Sequence, residues 1–448
     1  MIPAESLLTS TLRTHPHGGA VSRILAASLA AVEPGEAVRR FVGREGDRMV
    51  VAGRGYDLSA TPRNFLLGIG KAGVGMAEAL TGLLKEHMSG GLVVTKHASP
   101  KRSASLTILE GGHPLPDERS LAAGQKILEL LSSLQAGDLL WCLISGGGSA
   151  LASAPVEGIA LADLRETTTA LLACGARVDE INTLRRHLDR IKGGGVITLS
   201  NGATVISLIL SDVVGNPLEA IASGPTAPDP TTRAEALSVI QRYSLQRKIP
   251  AGVQEILSST PETPKPGEAI FDRVQNVLIG SNLLAAQAAL KQAEEEGFHP
   301  YLWRTDLQGE AREAAFELAT YIRQARQTGL PVPPPACIVV GGETTVTLRG
   351  NGLGGRNSEL ALAAVTELAD YPGVLLASLA TDGEDGPTDA AGAVVTGETF
   401  RCAAELGLNP VAFLDRNDSY RFFAGLDDLL KPGPTGTNVN DLIFLFSY

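Results

Sequence analysis

The sequence predicts a two-domain α/β protein: an N-terminal domain on a mostly parallel sheet with helices on both faces, and a smaller C-terminal α/β domain with a mixed sheet. Three observations carry this. The chain has 448 residues and 44% hydrophobic content, more than one core usually fills. Short β-branched or leucine-rich runs alternate with longer alanine-rich segments of helical period, the pattern of right-handed crossovers between parallel strands. Several strand-like runs end in glycine-rich turns, where bare backbone lets the chain bend sharply into a helix.

In chain order, the first half offers strands at Asn64–Gly70, Gly91–Thr95, Leu106–Glu110, Leu139–Ser145 and Val205–Leu210. Helical period appears over Ala72–Glu86, Ser120–Leu134, from Ser149–Ala152 onward, and over Ala160–Cys174. After Asp212 the texture changes. "ASGPTAPDPTT" (222–232) and "STPETPKPGE" (259–268) set prolines where neither helix nor strand runs, so the expected domains are 1–235 and 236–448. The second half restarts with a strand at Asn276–Gly280, a helix over Ser281–Glu296, a strand near Tyr301–Trp303 and a helix over Glu310–Arg326. "CIVVGGETTVTLRG" reads as strand, turn and strand, followed by a helix over Ser358–Ala369 and strands at Val374–Ala380 and Leu442–Phe446.

Charge narrows the partners. Lys+Arg 38 against Asp+Glu 49 gives a net charge of −11, which repels polyanions, so neither nucleic acid nor anionic membrane is expected. Cys142, Cys174, Cys337 and Cys402 are far apart and form no C-x-x-C pair, which argues against a zinc site or a disulfide framework. No run of about 18 apolar residues is present and the N-terminus lacks a secretion pattern. The expected location is cytoplasmic, and the expected assembly a monomer or homodimer.

The glycine turns carry the chemistry. In "NFLLGIGKAGVGMAEAL" (64–80), Gly68, Gly70 and Gly73 satisfy G-x-G-x-x-G between a strand and a helix, the setting of a dinucleotide fingerprint. The acid expected about 20 residues on is absent, and the next strand ends in Lys96 and His97. Lys71 stands in the turn, beside the positive end of a helix, where an ammonium is unfavourable unless an anion is shared. "LISGGGSALASAP" (143–155) leaves three readings open: a phosphate cradle made by Gly146, Gly147 and Gly148 with Ser145 and Ser149, an activated serine, or a tight packing turn. It matches neither the P-loop nor G-x-S-x-G. "EGGHPLPDERS" (110–120) brings His113, and "SDVVGNPLEAIASGP" (211–225) brings Asp212 after a purely apolar strand, an expensive place for a carboxylate without a task. In an open α/β sheet such strand ends converge. "INTLRRHLDRIKGGG" (181–195) adds Arg185, Arg186, His187, Arg190 and Lys192 at helical spacing, either an ordinary basic helix end or clamps for an anion. Further on, "GGETTVTLRGNGLGGRNSELAL" (341–362) sets Arg356 before a helix, "ATDGEDGPTDAAGA" (380–393) carries Asp382, Glu384, Asp385 and Asp389, and "GPTGTNVNDL" (433–442) runs into a last strand.

Taken in order, these segments resemble the glycerate 2-kinase family, the two-domain type with a Rossmann-like N-terminal domain and a C-terminal MOFRL domain. The resemblance runs from about residue 20 to the C-terminus. It implies transfer of the γ-phosphoryl group of ATP to the 2-hydroxyl of D-glycerate, with Mg²⁺ or another divalent cation. By the same resemblance Lys71, Asp212 and Arg356 are the catalytic residues. The turn Ser145–Ser149 resembles the family's phosphate or substrate loop, and Gly70, His113, Arg190 and Lys192 are expected to hold substrate or phosphate with it. Gly342, Glu343, Thr344, Gly355, Asn357, Asp382, Gly383 and Asn438 are expected to hold nucleotide, and Asp212 and Asp382 the metal. Asn216 stands where an acid is more readily expected. An NADP-dependent hydroxypyruvate reductase is the rival enzyme, and a non-catalytic metabolite sensor the rival outside catalysis.

Overall fold

The computed structural model describes residues 2–97 and 106–448. Two compact units emerge: one is Pro34–Ile279, and the other joins the chain up to Glu33 with Gly280–Tyr448.

In the first unit, β1 (Val42–Glu45), β2 (Arg48–Val51) and β3 (Arg54–Asp57) form a small antiparallel meander that the sequence reading missed. The main sheet contains β4 (Asn64–Ile69), β5 (Met88–Thr95), β6 (Leu106–Glu110), β7 (Leu139–Ile144), β8 (Thr204–Leu210) and β9 (Val274–Gly280), in the order β6-β5-β4-β7-β8-β9. The pairings from β6 through to β8 are all parallel. Every residue of β7 is buried, as helices on both sheet faces require. Ile69, Ile144 and Ile209 stand in one register row, with Val94 beside Ile69. The turns that follow these strands therefore leave the sheet at a single level. The helix Glu118–Ser132 starts there too, fixed by Asp117, whose carboxylate accepts from the Ser120 N–H.

Contacts do not divide the chain at 235/236. Helices Arg233–Arg242 and Ala251–Ser259 share a core with Leu161–Ala173 and Val178–Leu188, through Leu164, Ile181, Leu184, Val239, Ile240, Val253 and Leu257. The proline-rich 222–232 stretch is mostly buried: Asp229 is fully enclosed and pairs with Arg186 Nε at 2.8 Å. Its prolines do interrupt regular structure, but inside the unit rather than between domains. The helical run expected through 181–195 stops at Leu188. Asp189 turns extended because its carboxylate accepts from Ser153 Oγ, Ala154 N and Ile191 N.

The second unit has a mixed sheet of β10 (His299–Leu307), β11 (Ala336–Gly342), β12 (Val374–Ala380), β13 (Gly392–Thr396), β14 (Leu429–Leu430) and β15 (Asp441–Ser447), ordered β10-β11-β15-β12-β13-β14. Only β10 and β11 pair in parallel. The strand expected after the "GGET" turn does not form. Thr345 makes one bridge to Glu310, and the chain then runs irregularly while Gly350 and Gly352 lie against the backbone of 416–417. Helices Ala311–Thr328 and Arg356–Glu367 cover the sheet with alanine-rich faces. Helix Gly18–Ala31 packs on Asn282–Glu295, where the Arg23 guanidinium grips Glu296 through 2.6 and 2.7 Å hydrogen bonds.

Candidate active site

At the strand ends of the parallel sheet, the glycine turn after β7 acts as a hub. Lys71 N–H donates to the Gly146 carbonyl (3.0 Å), and Ala72 N–H donates to Ser145 Oγ (3.0 Å). Ser145 is buried and already serves that amide, so it ties two turns together and is no exposed nucleophile. Gly70, at φ +135°, has no room for a side chain, because a Cβ would overlap Ser145. A Cβ on Gly146 would overlap Asp212 Oδ2. One on Gly147 (φ +82°) would lie 3.2 Å from His113 Cδ2 and 3.3 Å from Lys71 Cε. Gly148 is closed off by Ala222 and Ile69. The missing side chains thus let three functional groups, Asp212, His113 and Lys71, rest on two neighbouring Cα atoms.

The electrostatics follow from that crowding. Burial pushes the Asp212 carboxyl up, opposed by the Lys71 charge. Burial, then Lys71 and Lys96, push His113 down to about 4, so its imidazole is neutral near pH 7. Among the described residues Lys71 enters no ion pair; it is exposed at the rim of the turn.

The basic stretch is sorted differently from the sequence reading. Lys192 is buried and neutralised by Asp189 at 2.5 Å, with the Ala152 carbonyl as a further acceptor, so it is not a free clamp. Arg190 is exposed beyond the helix, its N–H donating to the Ala154 carbonyl. Ser149 Oγ meets Ser223 Oγ at 2.7 Å, and Ser223 Oγ donates to Asn182 Oδ1 at 3.2 Å. Asn182 and Ser223 escaped the sequence reading, which had no reason to join positions so far apart.

In the second unit, register gathers another polar group. Asp441 opens β15 between Gly342 of β11 and Ala380 of β12, so the turns after both strands meet at this carboxylate. Arg356, first residue of its helix, donates from Nε and Nη2 to Asp441 (2.5 and 3.1 Å) and places Nη1 2.8 Å from Glu343. Burial works against its charge, but Asp441, Glu343 and Asp385 outweigh it and hold its pKa above the ordinary value. Asp382 is half-buried; burial raises its pKa, and neighbouring Asp441 and Glu384 add to this. Glu384 is exposed. Asp385 caps the Arg356 helix, accepting from Asn357 N, Ser358 N and Ser358 Oγ, and Gly355 has no Cβ so that this cap can approach.

Not every residue expected to hold nucleotide is available to it. Asn357 is buried and its side-chain carbonyl accepts from Ser378 Oγ at 2.7 Å, so it serves the core. Thr344 is also buried, and Gly383 (φ +87°) packs against the Gly433 carbonyl. Asn438 is half-buried and accepts from Asn440 N–H. In the sequence Asp441 is only part of a polar turn before the last strand; its pairing with Arg356 comes from the register of β15.

Among the described residues no three His, Cys, Asp or Glu side chains gather as a metal cage, and no helix is long and apolar enough to cross a membrane.

Residues 20–258 match a family model described as a domain of unknown function, DUF4147, and residues 336–441 match the MOFRL family. The glycerate 2-kinase of Pyrococcus horikoshii is 38% identical over 427 residues, 94% of this chain and 95% of that protein. The D-glycerate 2-kinase of Thermotoga maritima is 41% identical over 382 residues, 85% of this chain and 90% of that one. A crystal structure of glycerate kinase from Thermotoga maritima superposes with a TM-score of 0.86 at 38% identity, covering 95% of this chain and 98% of that one. A putative hydroxypyruvate reductase of Agrobacterium vitis is 40% identical over 382 residues, 85% of this chain and 86% of that protein. With both family models matched in order and relatives aligned along most of its length, the chain belongs to the glycerate kinase family that carries a C-terminal MOFRL domain.

Proposed function

We propose that this protein transfers the γ-phosphoryl group of ATP to the 2-hydroxyl of D-glycerate, giving 2-phosphoglycerate and ADP. The observation that carries the reading is the assembly of Lys71, His113 and Asp212 on the Gly146–Gly147 backbone, in a chain whose relatives bear the glycerate kinase name. Phosphoryl transfer needs positioning and charge neutralisation more than covalent chemistry. Lys71, which enters no ion pair among the described residues, is placed to meet phosphate oxygens. Asp212 orients the acceptor hydroxyl and takes its proton as the new O–P bond forms; its raised pKa makes it a better base than an ordinary aspartate. Neutral His113 adds a ring nitrogen without competing for the anion.

Arg356 serves the nucleotide in this reading. Asp441 fixes one edge of the guanidinium, and a phosphate exchanges with the half-exposed Glu343 for Nη1. The donor set suits a magnesium ion carried by nucleotide phosphates, which needs only one or two protein carboxylates. Asp382 offers a hard oxygen whose crowding by Asp441 and Glu384 favours a cation, and Asp212 offers a second carboxylate in its own unit. Bound at either carboxylate, the metal would neutralise phosphate charge.

The rival reductase is tested in the same preparation. Pure protein with ATP, Mg²⁺ and D-glycerate is expected to release ADP, with phosphorus NMR placing the product phosphate on carbon 2. Oxidation of NADPH by hydroxypyruvate, without ADP release from the kinase mixture, would overturn the proposal.

A further inference from the structure

The basic stretch at the end of helix Val178–Leu188 contains a partly buried guanidinium with no acid partner among the described residues. Arg186 has Asp229 at 2.8 Å, His187 has Glu262 at 3.3 Å and Lys192 has Asp189 at 2.5 Å. Arg185, half-buried, has a single hydrogen bond, from Nη1 to Asn182 Oδ1 at 3.4 Å, and no carboxylate partner among the described residues. A guanidinium has five N–H donors. Burial depresses its pKa and no acid opposes that shift. Taking a cation out of water without a counter-ion is unfavourable; the buried Arg186 and Lys192 of this stretch each have an acid partner, and Arg190 is exposed to solvent.

Arg185 lines a small cavity of about 30 Å³ with Ser149, Ser153, Thr168, Asp189 and Lys192. That volume holds about two waters, the space of two carboxylate oxygens. Two cations face one acid across it, leaving the cavity one positive charge in excess. Its wall is also wired to the glycine turn: Asn182 Oδ1 accepts from both Arg185 and Ser223, and Ser223 meets Ser149, the residue after Gly148.

We infer that Arg185 grips the carboxylate of the acceptor hydroxy acid, held end-on in this cavity beside Ser149. The inference rests on the kinase reading and deepens it, because it states what distinguishes a hydroxy acid from a plain diol: an acid answers the guanidinium and a diol leaves it unpaired. The occupant is the acceptor rather than a nucleotide phosphate because the single excess positive charge of this small cavity is balanced by one carboxylate and overshot by a doubly charged phosphate.

Full-length wild type, Arg185→Gln and Arg185→Lys are compared with D-glycerate, glycerol and ATP, with D-glycerate binding read separately by calorimetry. Arg185→Gln is expected to raise KM for D-glycerate at least about 100-fold while KM for ATP stays within about twofold. Its preference for D-glycerate over glycerol collapses, and Arg185→Lys recovers part of the loss because charge returns without the bidentate fork. Should Arg185→Gln fail to fold, Arg185→Lys carries the test with its own rise in KM and weakened binding. A KM for D-glycerate within about threefold of wild type in a folded variant would sink the assignment, and so would an equal rise in KM for ATP. Failure of the kinase reading looks different: wild type itself then neither binds nor phosphorylates D-glycerate, and the assignment of Arg185 falls with it.

Discussion

The two polar clusters are built from opposite kinds of economy. Around Gly146–Gly147 the chain removes side chains so that Asp212, His113 and Lys71 can approach, and the lysine enters no ion pair among the described residues. Around Asp441 it adds partners until the cation is held on two sides, by Asp441 and Glu343. An unpaired cation beside bare backbone is ready for an incoming anion, whereas a doubly held one must first exchange a partner. The first arrangement therefore concentrates charge chemistry, and the second concentrates rigidity.

Substitutions can break that contrast. The largest effect is expected from Lys71→Met, with kcat lowered about 10³-fold and only a small change in melting temperature, since the side chain is exposed and enters no ion pair among the described residues. A wild-type rate would remove Lys71 from the chemistry. Next comes Gly146→Ala, which pushes a methyl group onto Asp212 Oδ2; a displacement of that size costs about 10²-fold in turnover. Arg356→Ala should act on stability as much as on rate. It strands the buried Asp441 and destabilises by about 2 kcal/mol, below the roughly 3–5 of a fully buried pair because the guanidinium is 31% exposed. If Arg356→Ala loses more turnover than Lys71→Met and no stability in urea unfolding, the contrast is wrong.

Proton linkage sharpens the same comparison. The folded state raises the Asp212 pKa, so folding stability falls as pH climbs from the unfolded value through the folded one. Asp212→Asn is therefore expected to melt at a higher temperature than wild type at neutral pH, while losing its turnover. The acid limb of wild-type kcat/KM should lie above the ordinary aspartate range. For His113 the sign is reversed: its pKa of about 4 makes its contribution to stability complete above the unfolded value and lost as pH falls towards 4. The smallest effect is a rise of the His113 titration midpoint in Lys71→Met, read by NMR, because Lys71 is the second cause of its depression after burial.

Much of this was legible in the sequence because the parallel strands are mostly apolar, and those at 64–69 and 139–144 lead into glycine turns. The runs at 64–69, 139–144 and 204–210 became strands within a residue or so of their expected limits, and their turns meet because parallel register aligns their ends. What stayed illegible depended on partners distant in the chain. Lys192 stands three residues from Asp189, a spacing that pairs on a helix too, but the burial of the pair rests on Ala152, Ser153 and Ala154, distant in the chain. Pro-rich 222–232 reads as a linker until Arg186 supplies the charge that draws Asp229 inside. Asn357 has a polar side chain in a glycine-flanked motif, and only the position of Ser378 in β12 turns it inward. The division at residue 235 failed for the same reason: helices on either side of it share one apolar core.

The helix Gly18–Ala31 has its partner in Asn282–Glu295, across the whole of the intervening unit. A ribosome therefore delivers Val21, Ile24, Leu25 and Leu29, all buried in the finished protein, long before the surface that covers them exists. Residues 34–279 can condense during synthesis, while the leading segment waits uncovered for its mate. Cellular holdases should favour that early segment while it is uncovered.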